Sequence, residues 1–297
     1  MKPDSKLAAK ISGNDFIFTA EYLPVAGTGL TIDPKIFGSA ALTAVNTADN
    51  HYGVSMSSLA ASAALRQAGI EPVFQIVTRD RNRIALQSDL LGAAYLGIRN
   101  VLCLSGFHQT LIGCGESANV FDIDSIQLID IVRKMNGGHL SDGTKIQGDF
   151  AMLIGAAANP DLKPLELNII RLGKKIAAGA DFIQTQAVFD VDNFKAWLKA
   201  VGDAGLAGKT AILAGVLPLR SAAQAVELIS THTDFIIPET IINRLTAAGN
   251  AGAQEKEGVS IAAETINELK GLPGLKGVHI LSGGNESRVG ELLAAVT

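Results

Sequence analysis

Short apolar runs alternate along the chain with longer segments in which apolar residues recur every three or four positions. Runs at 16–21 (FIFTAE), 44–47, 72–77 (PVFQIV), 101–104, 150–154, 181–186 (DFIQTQ), 210–214 and 278–281 (VHIL) read as strands. The most continuous of them suit parallel strands covered on both faces. Between the runs lie helical patterns. At 83–96, Ile84, Leu86, Leu90, Leu91, Ala94 and Leu96 fall close to a 3.6-residue period, and Gly97 supplies a left-handed cap. At 122–135, Leu128, Ile131, Val132 and Met135 share one face. Further helices are expected after Pro34 and at 55–68, 164–178, 191–201, 220–230, 240–248, 259–269 and 286–296. Eight strands with helices between them predict one (β/α)8 TIM barrel over residues 1–297, with an extra helix before the eighth strand. A run at 234–237 before Pro238 reads as a short strand or extended turn outside that count. The polar stretch 136–148 reads as a hairpin or loop, because the α/β rhythm resumes unchanged after it. A doubly wound sheet is the alternative fold, and the lack of a GxGxxG after the first strand weakens it.

Composition narrows the function classes. The 297 residues carry a net charge of -4 with scattered basic residues, which gives no footprint for nucleic acid. The 2 cysteines, Cys103 and Cys114, make no disulfide framework, and no CxxC or HxxxH pairing offers a zinc site. The first residues are polar and lack an apolar signal core, and no apolar run approaches the roughly 20 residues needed to span a bilayer. A soluble, cytoplasmic protein with no membrane partner is the expectation.

Polar groups cluster just after the strands, where barrels keep their chemistry. Glu21 closes the first strand, and burial there would favour a protonated carboxyl suited to general acid work. A helix cap or an arginine partner is the competing role. Asn46 to Asn50 follow the second strand and can bond a flat heteroaromatic ligand or form an Asx turn. His51, just beyond, reads as a solvated loop residue. Gln75 lies inside a strand and needs partners in the barrel or on a ligand. The run Arg79 to Arg83 reads as a solvated helix start whose ion pairs contribute little. Gly155 to Ala158 leave open backbone against which a ring can lie, or they allow close helix packing. Arg171, Lys174 and Lys175 can reach a phosphate, although a basic last turn also suits the helix dipole.

The segments FTAEYLP (18–24), NTADN (46–50), the long block 75–106, GAAANP (155–160), GADFIQTQAVFD (179–190) and GVLP (215–218) together resemble the methylenetetrahydrofolate reductase family from about residue 16 to 293. The resemblance implies a (β/α)8 barrel, a bound flavin (FAD, with FMN the variant) and hydride exchange with the one-carbon bridge of a tetrahydrofolate derivative. NAD(P)H or a partner redox protein is then the electron donor. Glu21 falls on the family's proton donor, and Gln186 on the glutamine that contacts folate. Thr47, Ala48, Asn50, Gln75, Ser105, Gly106, Phe107 and Asn159 fall on flavin-lining positions. Asn168, Arg171, Lys174 and Lys175 fall on the helix that holds the flavin's ribityl and phosphate groups. Several positions depart from the pattern. Gln75 stands where some members have histidine, Asn159 where better-known members have histidine, and Phe107 where the family usually carries aspartate. Small residues at 221–223 replace an aromatic, and Glu286 lies near a basic position. The departures keep two alternatives open: a flavin-free reductase, and an accessory folate-binding subunit of a methyl-transfer complex. Alanine-rich helices leave room for a homo-oligomer.

Overall fold

The computed structural model describes residues 3–30, 32–231 and 236–297. Eight parallel strands close into a barrel in chain order. They are β1 (Ile17–Tyr22), β2 (Ala44–Thr47), β3 (Pro72–Val77), β4 (Asn100–Leu104), β5 (Leu153–Ala158), β6 (Phe182–Ala187), β7 (Ala211–Val216) and β8 (Leu275–Ile280). Pairing of Ile17 with Gly277 through Ala20 with Ile280 joins β1 to β8 and closes the ring. The helices are α1 (Lys6–Ser12), α2 (Pro34–Phe37), α3 (Ser58–Gln67), α4 (Arg83–Tyr95), α5 (Ser125–Asn136), α6 (Leu165–Ala178), α7 (Val191–Asp203), α8 (Ala222–Thr231), α9 (Glu239–Ala247), α10 (Ala251–Leu269) and α11 (Ser287–Val296). The expected barrel is the observed one. Three helices precede β8 where one extra was expected: α10 packs on the barrel through Ala262, Ile266 and Leu269, and α8 and α9 form the insertion. Of the extended run expected at 234–237, Asp234 and Phe235 lie outside the described residues, and Ile236 and Ile237 belong to no strand.

Side chains alternate across a strand, so every second residue enters the barrel. At the bottom, Ile17, Ala44, Val73, Leu102, Leu153, Phe182 and Leu213 form one apolar cluster. One step up, Thr19, Asn46, Gln184 and His279 form a buried polar layer. The Asn46 and Gln184 amides exchange two hydrogen bonds, of 2.7 and 3.1 Å. Gln184 Nε2 also donates to Thr19 Oγ1, which lies 3.0 Å from His279 Nδ1. Burial pushes the His279 imidazole down to about 3, so the ring is neutral at physiological pH. One further step up, Glu21 and Gln186 reach the mouth.

Local differences from the expected elements have steric causes. β5 runs Leu153–Ala158, later than the 150–154 expected, and takes in the glycine and alanines that were placed after the strand. A Cβ on Gly155 would lie 2.2 Å from the Phe182 ring, so only glycine lets this strand pass the ring. β7 likewise includes Gly215, whose Cβ would lie 2.3 Å from the Thr185 carbonyl oxygen. The polar N-terminal segment, in which no element was expected, forms α1. Its Leu7 joins the apolar cluster at the barrel bottom, and Glu71 accepts from the Lys6 and Leu7 amides at its open end. α10 begins at Ala251 with Asn250 as its cap, well before the expected 259. The buried face of α4 is Leu86, Gln87, Leu90 and Ala93, whereas Ile84 is 75% exposed, so the expected face was rotated. An antiparallel bridge between His139 and Lys145 makes the 136–148 stretch a hairpin.

Candidate active site

The C-terminal ends of the strands surround a cavity of about 220 Å³. It opens into a second cleft of about 180 Å³ over α6, and Ala157 and Gln186 border both. Glu21, at the end of β1, is 5% exposed and borders the larger cavity. Its carboxylate accepts from the Ser282 amide at 3.2 Å and from the Ser282 hydroxyl at 3.4 Å. Ser282 follows β8, so the pairing that closes the barrel also fixes this carboxyl. Gln186 borders the cavity from the opposite wall. The register of β6 against β7 shifts between Gln184 and Ala187. Such a bulge re-aims side chains, and here both Gln184 and Gln186 border the cavity.

Of the other residues singled out in the sequence, Gln75, Ser105, Gly106 and Phe107 line the main cavity. Asn159, Asn168, Arg171 and Lys175 line the cleft. Four positions are placed otherwise. The Thr47 hydroxyl points out of the barrel, sharing a 2.5 Å hydrogen bond with the Ser62 hydroxyl and donating to the Ser58 carbonyl of α3. Ala48 is buried beside β1, its amide donating to the Tyr22 carbonyl. Asn50 adopts a positive φ of 48° and bonds Asp80 and Ser55, so it shapes its loop. Lys174 is exposed and borders neither space. Asn168 holds the cleft's rim, donating to the Asn159 carbonyl at 2.5 Å and to the Leu162 carbonyl at 3.1 Å.

Of the run Arg79 to Arg83, Asn82 and Arg83 make the exposed helix start expected, Asn82 as cap and Arg83 paired with Asp122, but Arg79 and Arg81 do not. Arg79 is 2% exposed and borders the cavity. Its Nε and Nη2 donate to both Asp80 oxygens at 2.6 and 2.7 Å, Nη2 also to the Asn50 carbonyl and Nη1 to the Phe107 carbonyl. Burial pushes the Asp80 carboxyl up, but hydrogen bonds from Arg79 and Asn50 outweigh it and hold the group below its ordinary value. Asp49 is buried, accepts from the Val77 amide at 2.9 Å and pairs with Arg81 at 2.7 Å. Arg81 also pairs with Asp89 of α4 at 2.9 Å. These contacts tie the loops after β2, β3 and β4 together beneath the mouth. His51, expected to be solvated, borders the cavity instead.

The residues present fit a flavin. Gln75 is 6% exposed and borders the cavity. An amide that lines a cavity can both donate to and accept from a polar ligand edge. Gly106 and Ala157 add little bulk to that wall. In the cleft, Lys175 Nζ donates to the Ala157 carbonyl at 2.5 Å, and burial, with the Arg171 charge, pulls its pKa down to about 8. An anion bound between Lys175 and Arg171 would relieve both penalties. Gln75 and Ala157 would hold the ring system, and Lys175 and Arg171 the phosphates. Among the described residues, no group of three His, Cys, Asp or Glu could hold a metal ion. No helix among them is long and apolar enough to cross a membrane.

The fold and this mouth define a (β/α)8 barrel with a ligand cleft at the carboxyl ends of its strands. A family description, methylenetetrahydrofolate reductase, matches residues 39–296, and the chain belongs to that family. It is 21% identical over 248 residues to a probable methylenetetrahydrofolate reductase (NADPH) of Caenorhabditis elegans, covering 82% of this chain and 35% of the relative. It is 38% identical over 152 residues to methylenetetrahydrofolate reductase 2 of Saccharomyces cerevisiae, covering 47% of this chain and 22% of the relative. The chain thus spans about a third or less of these curated relatives. Among solved structures, a Clostridium thermocellum protein described as binding two copies of 5-methyl-5,6,7,8-tetrahydrofolic acid superposes with a TM-score of 0.66. That match has 15% identity and covers 98% of each chain, which establishes likeness of fold.

Proposed function

We propose that this protein interconverts 5,10-methylenetetrahydrofolate and 5-methyltetrahydrofolate with the help of a bound flavin, FAD or FMN. The observation that carries the reading is that Glu21 and Gln186 border one cavity, which continues into a cleft bordered by Arg171 and Lys175. Family membership and the folate bound by the Clostridium thermocellum protein support the substrate class. When bound, the flavin supplies hydride exchange with the folate's one-carbon unit. The protein's own work is to bind, orient and move a proton. Gln186 offers an amide to the donor and acceptor edge of the pterin. Glu21 gives a proton to the folate nitrogen whose bond to the bridge must break, and Ser282 orients the carboxyl for that transfer. The neutral polar layer of Thr19, Asn46, Gln184 and His279 forms a fixed floor that adds no competing charge. NAD(P)H or a partner redox protein is the electron donor.

The test is Glu21→Gln, which keeps the shape and removes the proton. Turnover of methylenetetrahydrofolate should fall by about 10²–10⁴, the usual contribution of a positioned general acid, while folate binding survives. Unchanged turnover would remove the assigned mechanism.

A further inference from the structure

Helix α4 carries apolar residues on two faces. Leu86, Leu90 and Ala93 are buried against the barrel. On the other face Ile84, Leu91 and Tyr95 stand in solvent, 75%, 37% and 90% exposed, with exposed Ser88 among them. These positions are spaced i, i+4, i+7 and i+11, so they form one stripe about 16 Å long. A helix that is apolar all round is normally covered on both sides, and exposed apolar patches mark contact sites. The stripe carries no charge of its own. At its edges Arg83 pairs with Asp122 and Asp89 with Arg81, both within the chain. Alongside lies α3 (SLAASAALRQ), whose Leu59 side chain lies against Gly92 of α4. It adds small residues and a single charge, Arg66.

We propose that this stripe is the contact face of a twofold dimer, in which α4 packs antiparallel against α4 of a second copy of the chain. The spacing singles out a second copy. In a contact between like faces, residue i meets j and j meets i. Set antiparallel, Ile84 of one copy falls opposite Tyr95 of the other, and Ser88 falls opposite Leu91. Both pairs are centred between residues 89 and 90, so one twofold axis satisfies both. Each pair sets a larger side chain against a smaller one, which lets the two faces interdigitate. Because the stripe is uncharged, two copies meet on it without like-charge repulsion. Tyr95 alone offers roughly 200 Å² of the about 800 Å² that each partner buries in a stable contact. The stripe is the apolar centre of that contact, and α3 supplies part of its rim. Asp89 on the same helix pairs with Arg81 beneath the mouth, so the second copy backs the helix that braces the site.

Sedimentation velocity of the intact chain, from about 1 to 100 μM, measures the assembly. The wild type should run as a dimer. Tyr95→Lys and Ile84→Lys each force a charge into the apolar centre and should weaken association by roughly a hundredfold. Both positions are exposed in the single copy, so the circular dichroism and urea midpoint of the dissociated variants should match those of the diluted wild type. Orientation is read by cross-linking, with Cys114→Ser in every chain to remove the partly exposed native thiol. A chain with Ile84→Cys mixed with a chain with Tyr95→Cys should form a disulfide-linked dimer under mild oxidation, and neither should do so alone. A wild type that stays monomeric across the range would overturn the proposal, as would an assembly of any size that both lysine variants leave unchanged. Either cysteine variant cross-linking by itself as readily as the mixture would overturn the antiparallel packing on which it stands.

Discussion

Replacing Arg79 by Met is the sharpest test of how the mouth is held together. The guanidinium is 2% exposed and makes four hydrogen bonds, two to Asp80 and one each to the Asn50 and Phe107 carbonyls. Met fills much of the volume but donates nothing. Each carbonyl left without a partner costs about 1–3 kcal/mol where water cannot reach it. The Asp80 side chain is 29% exposed and can partly rehydrate, so its share falls well below the roughly 3–5 kcal/mol of a fully buried broken pair. The two carbonyls alone give a loss of about 2–6 kcal/mol, a large part of the roughly 5–15 kcal/mol that holds a domain folded. Urea unfolding of the wild type, Arg79→Met, Asp80→Asn and the double variant measures it. The double variant should lose less than the two single losses added together, because Asn leaves no unpaired charge. A loss under about 1 kcal/mol for Arg79→Met, or strict additivity, would refute the claim that this ion pair organises the loops.

Gly155→Ala should destabilise by about 1–3 kcal/mol or more, since its methyl would meet the Phe182 ring at 2.2 Å, and pairing it with Phe182→Leu should recover part of the loss in urea melts. Glu286 gives a pH signature. Burial, with smaller contributions from the Asp33 and Glu21 charges, pushes its carboxyl up from 4.5 to about 7, against the Leu23 backbone hydrogen bond. The folded state therefore holds an extra proton between those values, and the wild type loses stability as pH rises through that window. Glu286→Gln should match the wild type near pH 4 and be the more stable of the two at pH 8, as denaturant midpoints at the two pH values will show.

Much of the architecture was legible because a parallel barrel writes itself as apolar runs with regular spacing, and all eight strands fall within a few residues of their expected places. Errors arose where tertiary contact overrides local pattern. Gly155 was placed just beyond the fifth strand, and its reason, the Phe182 ring from the neighbouring strand, is invisible without the pairing. α1 is short and polar, and only Leu7 entering the barrel bottom explains it. At the site, Glu21 and Gln186 were legible as the polar ends of strands. Thr47 was misplaced although a signal was present. Asn46 and Thr47 are adjacent in β2, so only one can face inward, and the Asn46 amide reaches Gln184 across the barrel. Arg79 was missed for another reason. Charged runs are usually solvated, and the carbonyls that hold this one come from loops far along the chain.

The central claim is that a flavin and a reduced folate meet above Glu21. Anaerobic addition of 5-methyltetrahydrofolate to the purified protein, followed in the visible spectrum, tests it most directly. The account predicts absorption bands of bound oxidised flavin that bleach as the folate is added. A protein that takes up no flavin even when incubated with FAD and FMN would contradict it, as would bands that the folate leaves unchanged.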